Sequence, residues 1–440
     1  MKKNFLNVIA LLMVIVFSLT LFGCDQKATE VKEEPKKEAK KEEPVTITWV
    51  NWVSTEEGTR DKIKSVVDQF EKDNPNIKVD IKPVPVSDIQ NQLTIMVTGK
   101  NAPDISQVHP DDVIALAAMG ALEPVDELLS ADFKADLHQS LLDLTTFEGT
   151  RYGIPWAPAG PGFLYNKKLM EQAGLDPKNP PNTIYEFTEA LEIAKKNLPK
   201  DVIGFQLDTT IRTIGLQHEW PFMRAFGALP IDGNNIDIDT PEMKEYAEWL
   251  RTVVKNGYTL PGKKYGEFRP MAAQGRLLFA FDGSYLRGIV TSLNTEITDQ
   301  IFNETWGVAS LPGTKDGKHY ASPDDHFLVA FKDSENKEAV AKFAEYLVNS
   351  DYSLKNYINP VGFVPATKSA IQRVPEISQD PIRSAFIEKI VPTVVPLPYG
   401  PNYSSVATAF MAGMQEVITT DKPIDEILSK LQTKVEEASK

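Results

Sequence analysis

Along residues 45–440 the apolar positions switch repeatedly between strand-like alternation and helical spacing. Val45-Thr46-Ile47-Thr48-Trp49 alternates, which predicts a strand. Ser54 with Glu57 has the form of a capping box, and Ile63, Val66, Val67 and Phe70 then recur at helical spacing until Asn74-Pro75-Asn76. Ile77, Val79 and Ile81 alternate with Lys78, Asp80 and Lys82, a second strand with one polar face. Ser87 and Gln90 open a helix through Leu93 and Met96 that Gly99 stops. Pro103-Asp104-Ile105 starts a short strand, and Asp111 to Met119 is helical again. A β-α-β-α-β order predicts a largely parallel sheet with helices on both faces, with ligands beyond the carboxyl ends of the strands. Further helices start at Thr183-x-x-Glu186 and at Thr240-Pro241, and others span about 335–348, 407–418 and 423–437.

The first 44 residues lack this pattern. Lys2 and Lys3 precede a nearly unbroken apolar run from Phe5 to Gly23, the form of a signal peptide; the run is also long enough to be an uncleaved bilayer anchor. The chain's single cysteine ends it in Leu21-Phe22-Gly23-Cys24, which resembles the bacterial lipoprotein cleavage box. That resemblance implies a signal peptide over 1–23 and diacylglycerol on the Cys24 sulfur, enough acyl chain for stable anchoring. From Cys24 to Pro44 the chain then reads as a charged, disordered tether. Val31 is its only large apolar side chain, so it cannot bury a core, and its last twenty residues reach at most about 65–70 Å.

With 440 residues the chain has length for two or three folding units. One cysteine excludes an intrachain disulfide framework and any multi-thiolate metal site. A net charge of −14, almost all of it on residues 45–440, argues against a nucleic-acid partner. No nucleophile elbow, His-Glu-x-x-His or phosphate-cradling glycine loop is present, and the five histidines lack metal-ligand spacing, so no cofactor is expected.

Several segments together resemble the extracellular solute-binding proteins of carbohydrate-type ABC importers, the maltodextrin-binding-like group or solute-binding family 1. They are Phe70-Glu71-Lys72-Asp73-Asn74-Pro75-Asn76-Ile77-Lys78-Val79, and Gly99-Lys100-Asn101-Ala102-Pro103-Asp104-Ile105 before Gly120-Ala121-Leu122. Tyr152-Gly153-Ile154-Pro155 follows, leading to Leu164-Tyr165-Asn166-Lys167-Lys168-Leu169 and Ala173-Gly174-Leu175-Asp176. Met271-Ala272-Ala273-Gln274-Gly275-Arg276 before Asp282-Gly283-Ser284, then Trp306-Gly307-Val308-Ala309 with Leu311-Pro312-Gly313, complete the series. The resemblance implies an α/β, periplasmic-binding-protein-like fold: two interleaved α/β lobes with a hinge of crossing segments. Crossings are expected near Pro155, Leu311 and Val364–Thr367. They divide the chain into an N-terminal lobe, 45–155 plus 313–365, and a C-terminal lobe, 156–312 plus 366–440. The resemblance further implies a monomeric binding protein without enzymatic activity, held to the outside of a cell membrane by its lipid. Its lobes would close on a small solute, a sugar or oligosaccharide, for delivery to an ABC permease.

Sugar recognition needs flat apolar faces and planar polar groups, which selects the candidate contacts. Trp49 fits the strand's alternation as a core residue, whereas Trp52 with Ser54 lies past the strand end and faces the cleft. His109 and Asp111 follow the short strand where the family often places contacts; Asp111 reads equally as a helix N-terminal carboxylate. Trp156 follows the first crossing. Gln217 and Trp220 lie near a family contact loop, although Trp220 also suits a core. Tyr285 stands where relatives commonly carry a stacking Trp, and Tyr403 matches an aromatic position before a C-terminal helix. Asp324-Asp325-His326 departs from the usual glycine-rich turn and is either an extra contact for hydroxyls or an amine, or a charged turn. Two other readings stay open: the same fold holding a polyamine or glycerol phosphate, and a secreted glycosidase with paired carboxylates.

Overall fold

The alternation from Val45 folds as a strand in which Ile47 and Trp49 are buried while Thr46 and Thr48 are more exposed. The computed structural model describes residues 44–440 apart from Ala159 and Asn234; the signal-like segment, Cys24 and the tether up to Glu43 lie outside the described residues. In chain order the strands of the two main sheets are β1 (Val45–Asn51), β2 (Ile77–Pro83), β3 (Ile105–Val108), β4 (Ile154–Ala157), β5 (Gly162–Asn166), β6 (Ile203–Phe205), β7 (Leu277–Asp282), β8 (Trp306–Ala309) and β9 (His326–Ala330). One sheet has the order β2-β1-β3-β9-β4 and the other β8-β5-β7-β6. The expected parallel pairing holds for β1 with β2 and β3, but β9 runs antiparallel to β3 and β4. In the second sheet β5 is antiparallel to β7 and β8, while β7 and β6 are parallel. Each reversed strand is thus the one by which the chain enters a lobe from the other.

The helical spacing resolves as predicted in most segments. In the helix Arg60–Asp73 the buried positions are Ile63, Val66, Val67 and Phe70. Thr183 and Glu186 form a reciprocal capping box, and the Thr240 side chain accepts the Met243 N–H. The proposed Ser54–Glu57 box does not form. The helix starts later, at Arg60, and the Ser54 N–H instead donates to Asn51 Oδ1 at 3.0 Å.

Two separate hydrophobic cores define the lobes. One contains Trp49, Phe70, Phe327 and Phe343, the other Phe163, Phe187, Phe279 and Met411. The first passage between them falls after Ala157 and before Phe163; the second, expected near Leu311, falls later, between Ala321 and Phe327, because Leu311 and Ala321 still pack in the second core. At the third, expected at Val364–Thr367, Val364 already packs in the second core, but Ala366, Ala370, Val374 and Ile377 return to the first, and the chain stays in the second only from Ile382. Backbone bonds explain the return, because Ala366 O accepts the His138 N–H (3.1 Å) and Lys368 N–H donates to Asp136 O (2.9 Å). At the passage itself Asp380 accepts the Ile382 N–H (3.0 Å) and pairs with Arg287 (2.6 Å) and Arg383 (3.0 Å).

Candidate functional site

Beyond the carboxyl ends of β1 and β3, between the lobes, lies a cleft of two connected chambers. The smaller encloses about 380 Å³ and the larger about 650 Å³, and Val86, His109, Ile214 and Asp324 border both. Volumes of this order suit small-molecule ligands.

The first lobe builds one wall from the loop after β1 and the helix Pro110–Ala118. Trp52 N–H donates to the Gln107 side-chain Oε1 (3.2 Å), and its ring stacks on His109 at 4.6 Å and 24°. His109 caps the helix, its N–H donating to Asp112 Oδ2 at 3.1 Å. Burial, then the neighbouring Asp111 charge, pushes the Asp112 carboxyl well up. Asp111 is also raised, chiefly by burial, although His109 and helix N–H groups oppose it. It stands in the first helical turn and lines the smaller chamber, so both readings of this residue describe its position. Glu56 lines the larger chamber and is raised by burial.

The second lobe supplies the opposite wall. Arg269 lies over the ring of Tyr265 at 4.7 Å and that of Tyr285 at 5.4 Å. Its guanidinium is fixed by a two-pronged pair with Asp282 at the end of β7, both bonds 2.9 Å. Burial, followed by the Asp324 charge, pushes Tyr265 up to about 12, so its phenol stays protonated as a donor. Tyr285 also touches the other lobe: its ring meets Phe363 at 6.0 Å, and Ser284 Oγ donates to Gly362 O at 2.7 Å. Gly362 has φ +93°, so its backbone favours glycine, while a Cβ there would make only ordinary contact with Tyr285. Tyr403 lines the smaller chamber with Tyr399, their rings 5.0 Å apart and edge-on.

The cleft thus brings together Trp52, His109, Asp111, Gln217, Tyr285 and Tyr403, along with Asp324 and His326, whose roles the sequence left open. Gln217 is largely buried and ties its helix to the second passage by donating to Pro323 O at 2.5 Å. Ser54 lines neither chamber. Asp325 is buried and borders a separate small cavity. Trp220 lies in the second core.

Trp156 is a correction. The first passage begins after Ala157, so Trp156 is still in the sheet: fully buried, stacked on Tyr357 at 5.2 Å and donating from Nε1 to Leu347 O at 3.2 Å. Trp156→Phe is therefore expected to cost about 1–2 kcal/mol of stability in a urea titration, with ligand affinity unchanged. A stable variant with weakened binding would return this residue to the cleft.

Sequence reasoning missed Glu56, Arg212, Tyr265, Arg269, Phe363 and Tyr399. A signal exists for one pair: Tyr265 and Arg269 are four residues apart, as on one face of a helical turn, whereas Tyr399 precedes the helix that starts at Tyr403. Among the described residues no group of three or more His, Cys, Asp or Glu side chains is placed to hold a metal ion. None of their helices is long and apolar enough to cross a membrane.

This chain is similar to known proteins along most of its length. A putative binding protein of Brucella abortus is 24% identical over 373 residues, 83% of this chain and 87% of that protein. The maltotriose-binding protein of Pyrococcus abyssi is 22% identical over 395 residues, 88% and 81% of the two chains. In structure, an ABC transporter solute-binding protein of Thermotoga lettingae, solved with α-D-tagatose, shares the fold with a TM-score of 0.76 at 23% identity, covering 89% of this chain and 99% of that one. The sequence pattern of one family matches residues 36–353, well over half of the chain. The chain belongs to the bacterial extracellular solute-binding proteins.

Proposed function

We propose that this protein captures a sugar or short oligosaccharide in the interlobe cleft by hinge closure and delivers it to the permease of an ABC importer. The observation that carries this reading is the gathering of aromatic side chains from both lobes around the larger chamber, Trp52 and His109 with Tyr265 and Tyr285, with Asp324 on the same lining and Asp111 on that of the adjoining chamber. Such walls suit pyranose faces and hydroxyl pairs, and ligand bridging both lobes shifts the population toward closure. The sugars named for the similar proteins, maltotriose and tagatose, agree with it. The chain acts as a binding protein without catalysis, as a monomer, and is held at the outer membrane face by acylated Cys24 through the tether to Pro44. Our proposed ligand contacts are Trp52, His109, Asp111, Gln217, Tyr285 and Tyr403, extended by Tyr265, Asp324 and His326.

The cleft chemistry weighs against glycerol phosphate. Arg212 is paired with Asp208 and Arg269 with Asp282, and Lys62 Nζ is bound to Gly58 O at 2.7 Å. An amine is the second reading, favoured by Glu56, Asp111 and Asp324 on the walls.

A thermal-shift panel of maltotriose, tagatose, glycerol 3-phosphate and spermidine tests this. A saccharide at a hundred times its Kd should stabilise the protein by about 2.7 kcal/mol. Trp52→Ala should weaken that saccharide about tenfold or more through loss of the stacked face. A shift only with the phosphate or the amine would overturn the sugar reading, and shortened oligosaccharides after incubation would show a hydrolase. Mass spectrometry of the mature N-terminus separates acylated Cys24 from an uncleaved anchor.

A further inference from the structure

The larger chamber contains a histidine whose proton position the surrounding covalent structure dictates. Gln107 on β3 is fully buried, and its Oε1 accepts the backbone N–H groups of Trp52 (3.2 Å) and Val53 (3.3 Å). A backbone N–H only donates, so the amide cannot be turned over, and its NH₂ group must face the other way. There it stands 3.3 Å from His326 Nδ1. An NH₂ group donates, so Nδ1 accepts, and the single proton of the neutral ring sits on Nε2. Nε2 has no protein partner among the described residues, and His326 lines the larger chamber.

The strand is shaped to present this ring. His326 pairs with Ala157 and Phe327 with Pro155, so the register of β9 against β4 shifts between them. A bulge of this kind redirects a side chain: Phe327 is buried in the first core while His326 is half-buried at the chamber wall. Trp52 and Phe363 hold the ring edge-on at 5.1 and 5.2 Å. The ionisable groups around it are His109 at 5.9 Å, Asp324 and Asp325 on its own approach, and Glu56, Lys62, Tyr265, Arg269 and Tyr285 lining the same chamber. Tyr357 lies behind it, stacked on Trp156. Burial, with His109 adding to it, pushes His326 down to about 3, so the ring stays neutral from pH 5 to 8.

We propose that His326 determines specificity in the cleft. Gln107 fixes it as the Nε2–H tautomer, a permanent donor that selects ligands offering a lone pair there, such as a saccharide ring, glycosidic or hydroxyl oxygen, over ammonium-bearing solutes. The selection rests on the solute-binding reading above; the tautomer does not. Asp111 and Asp324 attract either class, whereas a donor-only ring rewards an oxygen lone pair and gives an ammonium nothing to bond.

Nitrogen-15 NMR of the histidine-labelled full chain reads the tautomer without ligand, with His326→Asn identifying the resonance. The wild-type ring should show the neutral Nε2–H pattern, unchanged from pH 5 to 8. In Gln107→Glu at pH 8 an ionised carboxylate only accepts, so the proton should move to Nδ1 or the ring become a cation. Maltotriose, or the panel saccharide that binds in its place, should bind about five- to tenfold more weakly to His326→Phe, the scale of one neutral hydrogen bond. His326→Asn, which retains an N–H donor, should recover part of that loss. A wild-type Nδ1–H pattern, titration of His326 between pH 5 and 8, or unaltered binding by His326→Phe would each overturn the proposal. If no panel saccharide binds at all, the sugar reading fails and the selectivity fails with it, while the tautomer is still read directly.

Discussion

Arg269→Met should destabilise the fold by about 3–5 kcal/mol and weaken ligand binding as well, because it strands a buried charge and removes the support under two aromatic rings. The Asp282 side chain is fully buried and has three partners: Arg269 through both prongs, Gln206 Nε2 at 3.0 Å, and the Gly283 N–H at 2.8 Å. Burial alone would raise this carboxyl, yet the Arg269 charge and these hydrogen bonds hold it below the ordinary value. Without Arg269 the carboxylate must ionise unpaired or take up a proton, and either response costs free energy. The same cation lies over Tyr265 and Tyr285, so its loss also frees two rings of the larger chamber. The check is a urea double-mutant cycle. Arg269→Met with Asp282→Asn should recover much of the stability lost in the first variant, since no charge is then stranded, without restoring affinity. Additive losses, or a single variant within about 1 kcal/mol of wild type, would mean the pair carries no such coupling.

The contrast between two tryptophans shows which parts of this design are legible in the sequence. Trp49 and the helix Arg60–Asp73 are set by local periodicity, and the buried positions agree with it residue by residue. Thr183 with Glu186, and Thr240, announce their helices through bonds made within three residues. Trp52 and Trp156 each stand near the end of a strand, and nothing local separates them. Trp156 becomes core because Leu347 O and Tyr357, far along the chain, close over it. Trp52 is buried in the same core but also borders the larger chamber, where Gln107 holds its backbone and His109 stacks on its face. The return of the chain to the first core after Val364 is illegible for the same reason: residues 366–368 are bound to Asp136 and His138, and only the folded chain brings them together. Family resemblance supplied the two-lobe plan and the positions of Asp111, Gln217, Tyr285 and Tyr403, but not the partners that fix their surroundings. The Gln107–His326 contact links distant segments, and the Arg269–Asp282 pair joins a helix to the end of the next strand; neither leaves a periodic spacing to read.

Stability should fall as pH rises from 6.5 to above 8, and Glu219→Gln should remove most of that fall. Glu219 is fully buried in the helix Thr213–Ala225; its Oε2 accepts the Tyr246 hydroxyl at 2.6 Å, and its Oε1 is sealed in without a partner. Burial raises its carboxyl to about 8, even though the Tyr246 bond pulls the other way. An acid with a raised folded pKa is more protonated in the folded chain than in the unfolded one. Its favourable contribution is therefore complete below the unfolded value near 4.5 and is lost as pH climbs through about 8. Neighbouring His218 acts in a different window. Burial lowers it from 6.5 against the pull of Asp208, Asp324 and Asp282, so its effect raises stability with pH, is half spent at the unfolded value and fades within about one unit above it. Between the unfolded and folded values the slope due to Glu219 is about 1.4 kcal/mol per pH unit; it is close to this at pH 6.5, halves near pH 8 and then fades, and the full penalty amounts to a few kcal/mol. Glutamine keeps an acceptor for Tyr246 and cannot ionise. The variant should match wild type within about 1 kcal/mol at pH 5 and exceed it at pH 8.5 in urea titrations. Equal slopes in the two proteins would place the titrating group elsewhere, whereas a flat variant profile would assign it to Glu219.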